Sequence, residues 1–423
     1  RGIGFKTADR IALEIGIGRD SAVRASGICV HLLNESKSEG HCCLPEEKVI
    51  NDLQSAGLSE QSIVEGIKSA IENGRVILEA AASDNGVPCF YLPDLLNAEI
   101  SVAQNIKRLQ NCDEHISASF DDVESVIART GFPPDESQRL ALDMALEESL
   151  SVITGGPGTG KTTTMRLLLE VLHTVGVQKI LLASPTGRAA KRLAEATGHE
   201  ASTIHRLLKF EPISGRFSKN EEDPLEVDYL IIDEVSMMDL KLCASLLSAV
   251  PDNAKVLLVG DADQLPSVGA GAVLRDFVAA ANVKTSRLAR IHRQGKGSGI
   301  VDAAHAVLNG EVPETVTGES GNGDFFISYH DDGEQATDVL QKVITERIPD
   351  KYDIDIDEDL LVLSPMYRGA LGVNDLNDRL SHALNPNGNG PVWTRGLRVG
   401  DKVMVTRNDY DREIFNGDTG KVT

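Results

Sequence analysis

The sequence has few cysteines and no long apolar run. Six cysteines are spread over 423 residues and none forms a CxxC pair, which argues against both a disulfide framework and a zinc site. The one cluster, His41-Cys42-Cys43, cannot easily close a tetrahedral site alone because its side chains are neighbours in sequence. Reduced thiols in a cytoplasm are therefore expected. No segment reaches the roughly 18–20 apolar residues that a membrane helix needs, so no membrane partner is expected.

A positive charge balance is also missing. The chain has 42 Lys and Arg against 64 Asp and Glu, a formal net charge of −22, whereas dedicated nucleic-acid binders often carry a basic balance. Affinity for phosphates depends on local patches rather than on the total. Two local groups are basic: the carboxylate-free stretch 284–296, and the set Arg188, Lys191, Arg192 and Arg206. These groups permit nucleic-acid binding without demonstrating it, since a charge run is usually a solvated face.

Length and hydrophobic pattern predict several domains, one of them built on a parallel sheet. A chain of 423 residues is too long for one ordinary core, so two to four domains are expected. Up to about residue 130 the pattern indicates short helices and one hairpin, residues 75–78 and 87–92 across an Asn85-Gly86 turn. From about residue 131, apolar runs alternate with helical stretches, which is typical of a parallel sheet covered on both faces. The predicted strands are 151–154, 179–183, 229–232 and 256–259, followed by a second α/β series with strands at 325–327 and 360–363.

The strongest motif runs from Gly155 to Thr162. It fits GxxxxGK[ST], with an apolar strand before it and a helical pattern after it. The glycines let backbone N–H groups surround phosphates, and the helix N-terminus favours their negative charge. Lys161 is expected to reach the β- and γ-phosphates of ATP, and the Thr162 hydroxyl to ligate Mg²⁺. The expected nucleotide contacts are Gly156, Pro157, Gly158, Thr159, Gly160, Lys161, Thr162 and Thr163.

Further polar residues follow strands or lie in the basic stretch. Asp233 and Glu234 close the run 229–232, at the strand end where open α/β sheets bind ligands. Asp233 is expected to hold Mg²⁺, and Glu234 to orient and deprotonate the attacking water. Gln264 is a candidate γ-phosphate contact, and Arg293 is a candidate to stabilise charge on the γ-phosphoryl group from a neighbouring unit. Taken singly, an acidic pair is often a helix N-cap, and an arginine in a basic loop is more often a surface residue.

In this order the motifs resemble those of RecD-like DNA helicases, the branch of helicase superfamily 1 that moves 5′ to 3′. Gln138 stands where the family's Q motif would contact adenine, and Arg293 stands in its motif IV. The resembling stretches are 132–141 (Q motif), 155–164 (motif I), 183–193 (motif Ia), 201–208 (the element after it), 233–238 (motif II), 260–269 (motif III), 291–294 (motif IV) and 415–420 (the entry to a small β-barrel insertion).

The resemblance implies an α/β fold with tandem RecA-like P-loop NTPase units, the second incomplete, after a mostly helical N-terminal DNA-binding region. Residues 2–8 resemble the hairpin of a helix-hairpin-helix, which holds a DNA phosphate without reading sequence, although a plain helix start fits them as well. The implied domains are a helix-hairpin-helix-like segment at 1–36, a winged-helix-like unit at 37–100, a helical linker at 101–130, a first RecA-like ATPase domain at 131–285, and a partial second one at 286–423 that runs into the β-barrel insertion.

The implied function is an ATP-dependent helicase or translocase that moves 5′ to 3′ on single-stranded DNA and meets duplex junctions in DNA repair or recombination. Lys161, Glu234, Gln264 and Arg293 would form the catalytic set, ATP and Mg²⁺ the cofactors, and repair-complex proteins possible partners. The candidate DNA contacts are Pro185, Thr186, Arg188, Thr203 and His205. Thr203 and Arg206 equally fit helix capping and a surface salt bridge.

Two other functions stay open: an ATP-gated DNA-binding module that does not translocate, and an RNA-directed relative within the same superfamily. The start at Arg1 and an end that reads as mid-strand, 420–423, are typical of a fragment. In the resembling family a Thr/His/Gln-containing stretch and a second γ-phosphate arginine lie beyond the β-barrel insertion. The sequence therefore predicts weak or absent unwinding by this chain.

Overall fold

The structure is a computed structural model that describes residues 4–80, 86–111, 118–290, 298–313, 324–388, 396–406, 412, 414 and 416–423. The chain divides into two units, Arg1–Gln294 and Gly295–Thr423. In the described part, no helix combines the length and the apolar character that a bilayer crossing requires.

The N-terminal region of the first unit packs helices around a small antiparallel sheet. Its elements are α1 (Phe5–Glu14), α2 (Ala22–Ser38), β1 (Cys43–Pro45), α3 (Glu46–Ser55), α4 (Glu60–Glu72), β2 (Ile77–Glu79), β3 (Cys89–Tyr91) and α5 (Pro93–Gln110). Serine side chains begin two helices, because Ser21 accepts a hydrogen bond from the N–H of Arg24 and Ser59 from that of Ser62. The strand order is β1-β3-β2. The predicted hairpin is confirmed by the antiparallel pairing of β2 with β3; Asn85 of its turn lies outside the described residues.

The rest of the first unit is a six-stranded parallel sheet between helices. Its elements are α6 (Phe120–Thr130), α7 (Glu136–Glu147), β4 (Leu150–Gly155), α8 (Lys161–Thr174), β5 (Ile180–Ser184), α9 (Gly187–Thr197), β6 (Ala201–Thr203), α10 (Ile204–Leu207), the hairpin β7 (Phe210–Glu211) and β8 (Arg216–Phe217), β9 (Tyr229–Ile232), a 3₁₀ turn (Val235–Met237), α11 (Leu240–Ala249), β10 (Lys255–Gly260), α12 (Val273–Ala279) and β11 (Lys284–Leu288). The strand order is β11-β4-β10-β9-β5-β6, and every neighbouring pair is parallel.

The four strands predicted in this part are confirmed as β4, β5, β9 and β10. Their side chains alternate between two cores: on β4, Val152 packs into one face and Ile153 into the other. The two edge strands were missed because their sequences, AST and KTSRL, are short and polar. Since β11 ends at Leu288, the first sheet continues past the domain boundary expected at residue 285.

Helices α5 and α6, in and near the expected linker 101–130, are built into this core. Val102 and Leu109 of α5 pack in the layer that contains α11, while Val123 and Val126 of α6 pack in the layer that contains α8. Arg108 fixes the first contact by donating hydrogen bonds to the carbonyls of α11 residue Leu247 and of Val250 just after it. The described part of the segment therefore packs against the two faces of the parallel sheet.

The second unit contains helices and one two-stranded antiparallel sheet in its described part. Its elements are α13 (Gly299–Leu308), α14 (Gly333–Lys342), which continues through a π-helical turn (Val343–Arg347) into α15 (Ile348–Lys351), then α16 (Ile356–Asp359), α17 (Val373–Leu384), β12 (Lys402–Met404) and β13 (Thr419–Lys421). The strands β12 and β13 pair with each other.

The strands predicted at 325–327 and 360–363 are wrong. Within the described range 324–388 neither segment forms a strand. Phe326, Leu361 and Leu363 are 56%, 53% and 83% exposed, so these apolar runs are not sandwiched between layers as a central parallel strand would be. A short apolar run cannot by itself distinguish a buried strand from another extended segment.

Candidate nucleotide and nucleic-acid site

The loop between β4 and α8 has the backbone shape that phosphate binding requires. Gly158 and Gly160 have φ values of 77° and 88°, a left-handed conformation that other residues rarely adopt. Gly160 is also the N-cap of α8, so the loop leads directly into a helix N-terminus, where orphan N–H groups and the helix dipole favour an anion. Pro157 and Thr162 are exposed, whereas Thr159 is buried and its hydroxyl donates to the carbonyl of Gly156 at 2.8 Å.

Lys161 lies folded over this loop. Its Nζ donates to the carbonyl oxygens of Gly155 at 2.5 Å and Gly156 at 3.1 Å. The ammonium group is therefore held at the loop by neutral acceptors, from which it can be transferred to a more strongly attracting phosphate oxygen.

Asp233 and Glu234 follow β9 at the same end of the sheet. Oδ1 of Asp233 accepts the N–H of Glu234 at 2.9 Å. Burial raises the pKa of the Asp233 carboxyl to about 6, the neighbouring Glu234 charge adds to the rise, and Lys161 lowers the pKa. Lys161 and Asp233 are thus close enough to interact, although β10 lies between their strands. A buried carboxylate of this kind is well suited to a cation.

Glu234 has an unusual backbone. Its φ and ψ are 56° and 41°, the left-handed region that costs a non-glycine residue on the order of 1–2 kcal/mol. Only one other described non-glycine residue, Lys209, has a positive φ. Strain of this kind is concentrated at functional sites, because the surrounding structure must impose it.

The loop after β10 connects the pocket strands to Gln264. Asp261 is buried, and the N–H of Ala262 donates to the Thr154 hydroxyl of β4 at 3.1 Å. Gln264 is exposed, and its Oε1 accepts a hydrogen bond from the Ser236 hydroxyl, in the turn after Glu234, at 3.4 Å. Gln264 is therefore linked to the segment that carries the acidic pair.

Gln138 has a structural role that the sequence analysis did not weigh. It is buried and forms a capping box at the start of α7: its Oε1 accepts the N–H of Asp135 at 3.0 Å, and its own N–H donates to the Asp135 carboxylate. The amide oxygen is thus engaged in beginning the helix.

The candidate DNA contacts gather at the carboxyl ends of β5 and β6, which are adjacent because Ser184 pairs with Thr203. Thr186 begins α9 and accepts the N–H of Ala189 at 3.3 Å; Thr203 begins α10 and accepts the N–H of Arg206 at 3.1 Å. Both hydroxyls therefore cap helices, and each can still donate its proton. Pro185 is half-buried and Arg188 is exposed.

His205 belongs to an aromatic cluster that the sequence analysis missed. Its ring lies 5.5 Å from the rings of both Phe210 and Phe217, which face each other across the β7–β8 hairpin. Burial lowers the pKa of His205, so the ring is neutral near pH 7. The signal in the sequence was two phenylalanines on either side of a Ser214-Gly215 turn.

Arg293 and the stretch 291–294 lie outside the described residues, as do residues 2 and 3 of the N-terminal hairpin motif. Of the basic stretch 284–296, Arg287 forms an ion pair with Asp263 at 2.5 Å.

Three family models match the chain. An AAA domain matches residues 138–270, an ATP-dependent RecD2 DNA helicase HHH domain matches 1–43, and an ATP-dependent RecD-like DNA helicase SH3 domain matches 376–423. The first of these covers the P-loop, the acidic pair and Gln264.

Two proteins and one solved structure are also similar to this chain. The ATP-dependent RecD2 DNA helicase of Deinococcus radiodurans is 36% identical over all of this chain, which spans 58% of that protein's length. The solved structure of a Bacteroides Pif1 helicase with ADP-AlF3 and single-stranded DNA aligns over 69% of this chain and 70% of its own, at 20% identity and a TM-score of 0.38. The RecD subunit of the Mycobacterium tuberculosis RecBCD enzyme is 31% identical over 98% of this chain and 74% of the subunit. Since that match covers nearly the whole chain and most of the relative, the chain belongs to the family of RecD-like DNA helicases.

Proposed function

We propose that the protein hydrolyses ATP and uses the energy to move 5′ to 3′ on single-stranded DNA, as a helicase or translocase in DNA repair or recombination. One observation carries the proposal: the parallel sheet brings Lys161 and the buried Asp233 together beside a loop whose glycines are left-handed. A buried aspartate with a raised pKa and a lysine whose described hydrogen bonds go to carbonyl groups do little for folding, and both suit a magnesium–phosphate ligand.

Each pocket residue has a role in this proposal. Thr162 and Asp233 hold Mg²⁺, which supplies charge neutralisation at the phosphates. Lys161 binds the β- and γ-phosphate oxygens. Glu234 orients the attacking water and accepts its proton, and Gln264 contacts the γ-phosphate.

The remaining nucleotide contacts come from backbone groups and from more distant side chains. Arg293 is proposed to stabilise charge on the γ-phosphoryl group, and Gln138 to contact adenine through its amide nitrogen. The cradle for the phosphates is the backbone of Gly156, Pro157, Gly158, Thr159, Gly160, Lys161, Thr162 and Thr163.

Single-stranded DNA is proposed to cross the ends of β5 and β6. Arg188 supplies charge for a phosphate, Thr186 and Thr203 supply hydroxyl protons, and Pro185 and His205 supply flat surface for a base or sugar. The segment 1–36 and the three-stranded region within 37–100 are proposed to contribute further, sequence-independent DNA contacts as helix-hairpin-helix-like and winged-helix-like units.

Two ATPase units are proposed to cooperate in translocation. The first is proposed at residues 131–285, and β11, which pairs with β4 of its sheet, ends at Leu288. The second begins after it and runs into the small β-barrel of the SH3-type match at 376–423.

The test is steady-state ATP hydrolysis with no nucleic acid, with single-stranded DNA and with RNA. A DNA motor is expected to be stimulated several-fold by single-stranded DNA, and Lys161→Ala to reduce turnover by at least about 100-fold because it removes the phosphate-binding ammonium. Lys179→Ala is the matched control, since Lys179 is an exposed lysine directly before β5 of the same sheet and pairs with Glu226.

Other outcomes assign other functions. ATP-dependent DNA binding with little turnover would indicate a switch that does not translocate, and stimulation by RNA alone would indicate an RNA-directed enzyme. If Lys161→Ala left ATP affinity and turnover intact, the assignment of the pocket would be wrong.

A further inference from the structure

The segment 261–271, which follows β10 and carries Gln264, is here named the sensor loop. Its first residues are fixed to the nucleotide-binding strands. The N–H of Ala262 donates to the Thr154 hydroxyl at 3.1 Å, and the Asp263 carboxylate pairs with Arg287 of β11 at 2.5 Å. The start of the sensor loop therefore moves with the strand that leads into the P-loop.

The last residues of the sensor loop are fixed to the N-terminal region. The N–H of Gly271 donates to the carbonyl of Gly40, just after α2, at 3.0 Å. Ala270 is 5% exposed and packs in the same hydrophobic core as Leu33, Leu44 and Leu95 of the N-terminal region. One end of the loop thus belongs to the core of a different part of the molecule.

The residues of this second attachment are tightly packed. Gly271 has a φ of 105°, and a Cβ at that position would lie 2.8 Å from the Cβ of Leu240 and 3.5 Å from Sγ of Cys42. A Cβ at Gly269 would lie 2.2 Å from Oδ2 of Asp239. The N–H of Leu240 also donates to the Ala270 carbonyl at 3.0 Å. The loop end is therefore clamped between α11 and the N-terminal region.

Between the two attachments the loop is exposed. Leu265 and Val268 are 87% and 97% exposed, and Gln264 has its one described side-chain contact to Ser236. A short exposed tip with both ends fixed takes its position from those ends. A shift of the Gly40–Gly271 contact must then be accommodated at Gln264 or in the loop between them.

We propose that the N-terminal region positions Gln264 through its contacts with Ala270 and Gly271, which are here named the seat. Nucleotide binding in the pocket and the conformation of the N-terminal region are thereby coupled. This inference rests on the proposed function, in which Gln264 contacts the γ-phosphate. Coupling between two equilibria is reciprocal in free energy, so occupation of the pocket is expected to alter the Gly40–Gly271 contact. A displaced Gln264 would in addition lower turnover, because it no longer meets the γ-phosphate correctly. Gly40, Ala270 and Gly271 are positioning residues, because none of them is placed at the phosphate.

The first test is hydrogen exchange of the whole chain with and without Mg²⁺–ATPγS. The Gly271 amide reports the seat directly, since it is the donor to Gly40. We expect exchange in 264–275 and in 37–45 to change by about threefold or more when nucleotide protects residues 155–164. In Gln264→Ala the P-loop protection should persist and the change in 37–45 should disappear.

The outcomes separate this inference from the function on which it rests. Protection of 155–164 with no change in 37–45 overturns the coupling and leaves the nucleotide site standing. No protection at 155–164 means that the proposed site fails, and the coupling fails with it.

A matched pair of glycine variants supplies the second test. Both Gly271→Ala and Gly57→Ala place a side chain on a residue with a positive φ. Gly271 contacts the N-terminal region and Gly57 lies within it, but a Cβ at Gly57 would meet nothing within 4 Å. We expect Gly271→Ala to lower kcat of the DNA-stimulated ATPase by about fivefold or more, because Gln264 is displaced from the γ-phosphate. KM for ATP should stay within about twofold, because the P-loop is untouched. Gly57→Ala should leave both constants near wild type. Equal losses in the two variants, or a wild-type kcat for Gly271→Ala, would show that the seat is a packing contact only.

Discussion

The two candidate functional regions at the carboxyl edge of the sheet differ in how far folding alone accounts for their residues. At the ends of β5 and β6, Thr186 and Thr203 both cap helices, so their identity is explained without a ligand. Directly after β9, the buried carboxylate of Asp233 with its raised pKa and the strained backbone of Glu234 have no such explanation. Residues that cost stability where they stand are better evidence of function than residues that stabilise a helix.

Of the substitutions that test this difference, Asp233→Asn should have the largest effect on melting temperature and ATP turnover. Because its pKa is raised to about 6, the folded chain binds a proton more readily than the unfolded one and gains stability as pH falls through 6. At neutral pH the ionised carboxylate then costs the fold about 3 kcal/mol. In EDTA, Asn should raise the melting temperature at pH 7.5 and flatten its pH dependence between 5 and 8, while ATP turnover in Mg²⁺ falls by at least about 100-fold. A melting temperature that falls at pH 7.5 would contradict the account.

Glu234 gives a second, smaller effect of the same kind. Both Glu234→Ala and Glu234→Gly remove the proposed base and should abolish most turnover. Glycine adopts φ 56° without strain, so Glu234→Gly should unfold at higher denaturant concentration than Glu234→Ala, by about 1 kcal/mol of unfolding free energy. Equal stability of the two variants would indicate that the backbone relaxes when the side chain is removed, and that the strain is not imposed by the fold.

Thr186 tests the region at the ends of β5 and β6, and its substitution should give the smallest change in stability and binding. Thr186→Ala removes the N-cap of α9 and should cost about 1 kcal/mol of unfolding free energy, whereas Thr186→Ser keeps the hydroxyl and most of that stability. If the hydroxyl also donates to a DNA phosphate, Ala should weaken single-stranded DNA binding by about three- to tenfold and Ser should restore it. Lost stability with unchanged DNA affinity would leave capping as the residue's whole role.

Much of the nucleotide site could be predicted because its residues follow strong patterns. The runs at β4, β5, β9 and β10 are continuous and apolar because those strands are buried on both faces. The P-loop glycines are required by backbone geometry and close packing: Gly158 and Gly160 have positive φ, and a Cβ at Gly155 would lie 2.7 Å from the Leu288 carbonyl oxygen. The polar edge strands β6 and β11 gave no such signal, since their stability comes from hydrogen bonds to one neighbouring strand.

Contacts between regions distant in sequence could not be predicted. The packing of α5 and α6 against the sheet, the seat of Gly271 on Gly40, and the aromatic cluster around His205 each depend on tertiary placement. Gln138 shows the converse, since its capping box is local: Asp135 and Gln138 stand three residues apart at a helix start, a spacing that predicts the cap from sequence. The runs at 325–327 and 360–363 show that apolar composition alone does not make a strand.

The most direct test of the central claim is the binding of ATP by titration calorimetry, in Mg²⁺ and in EDTA, to the wild type, Lys161→Ala and Asp233→Asn. If Lys161 binds phosphate and Asp233 holds the metal, Lys161→Ala should weaken binding by at least about tenfold in both buffers. Asp233→Asn should weaken it only in Mg²⁺, and in EDTA should bind as well as wild type or better, because a nearby negative charge has been removed. Wild-type affinity of Lys161→Ala in both buffers would contradict the account.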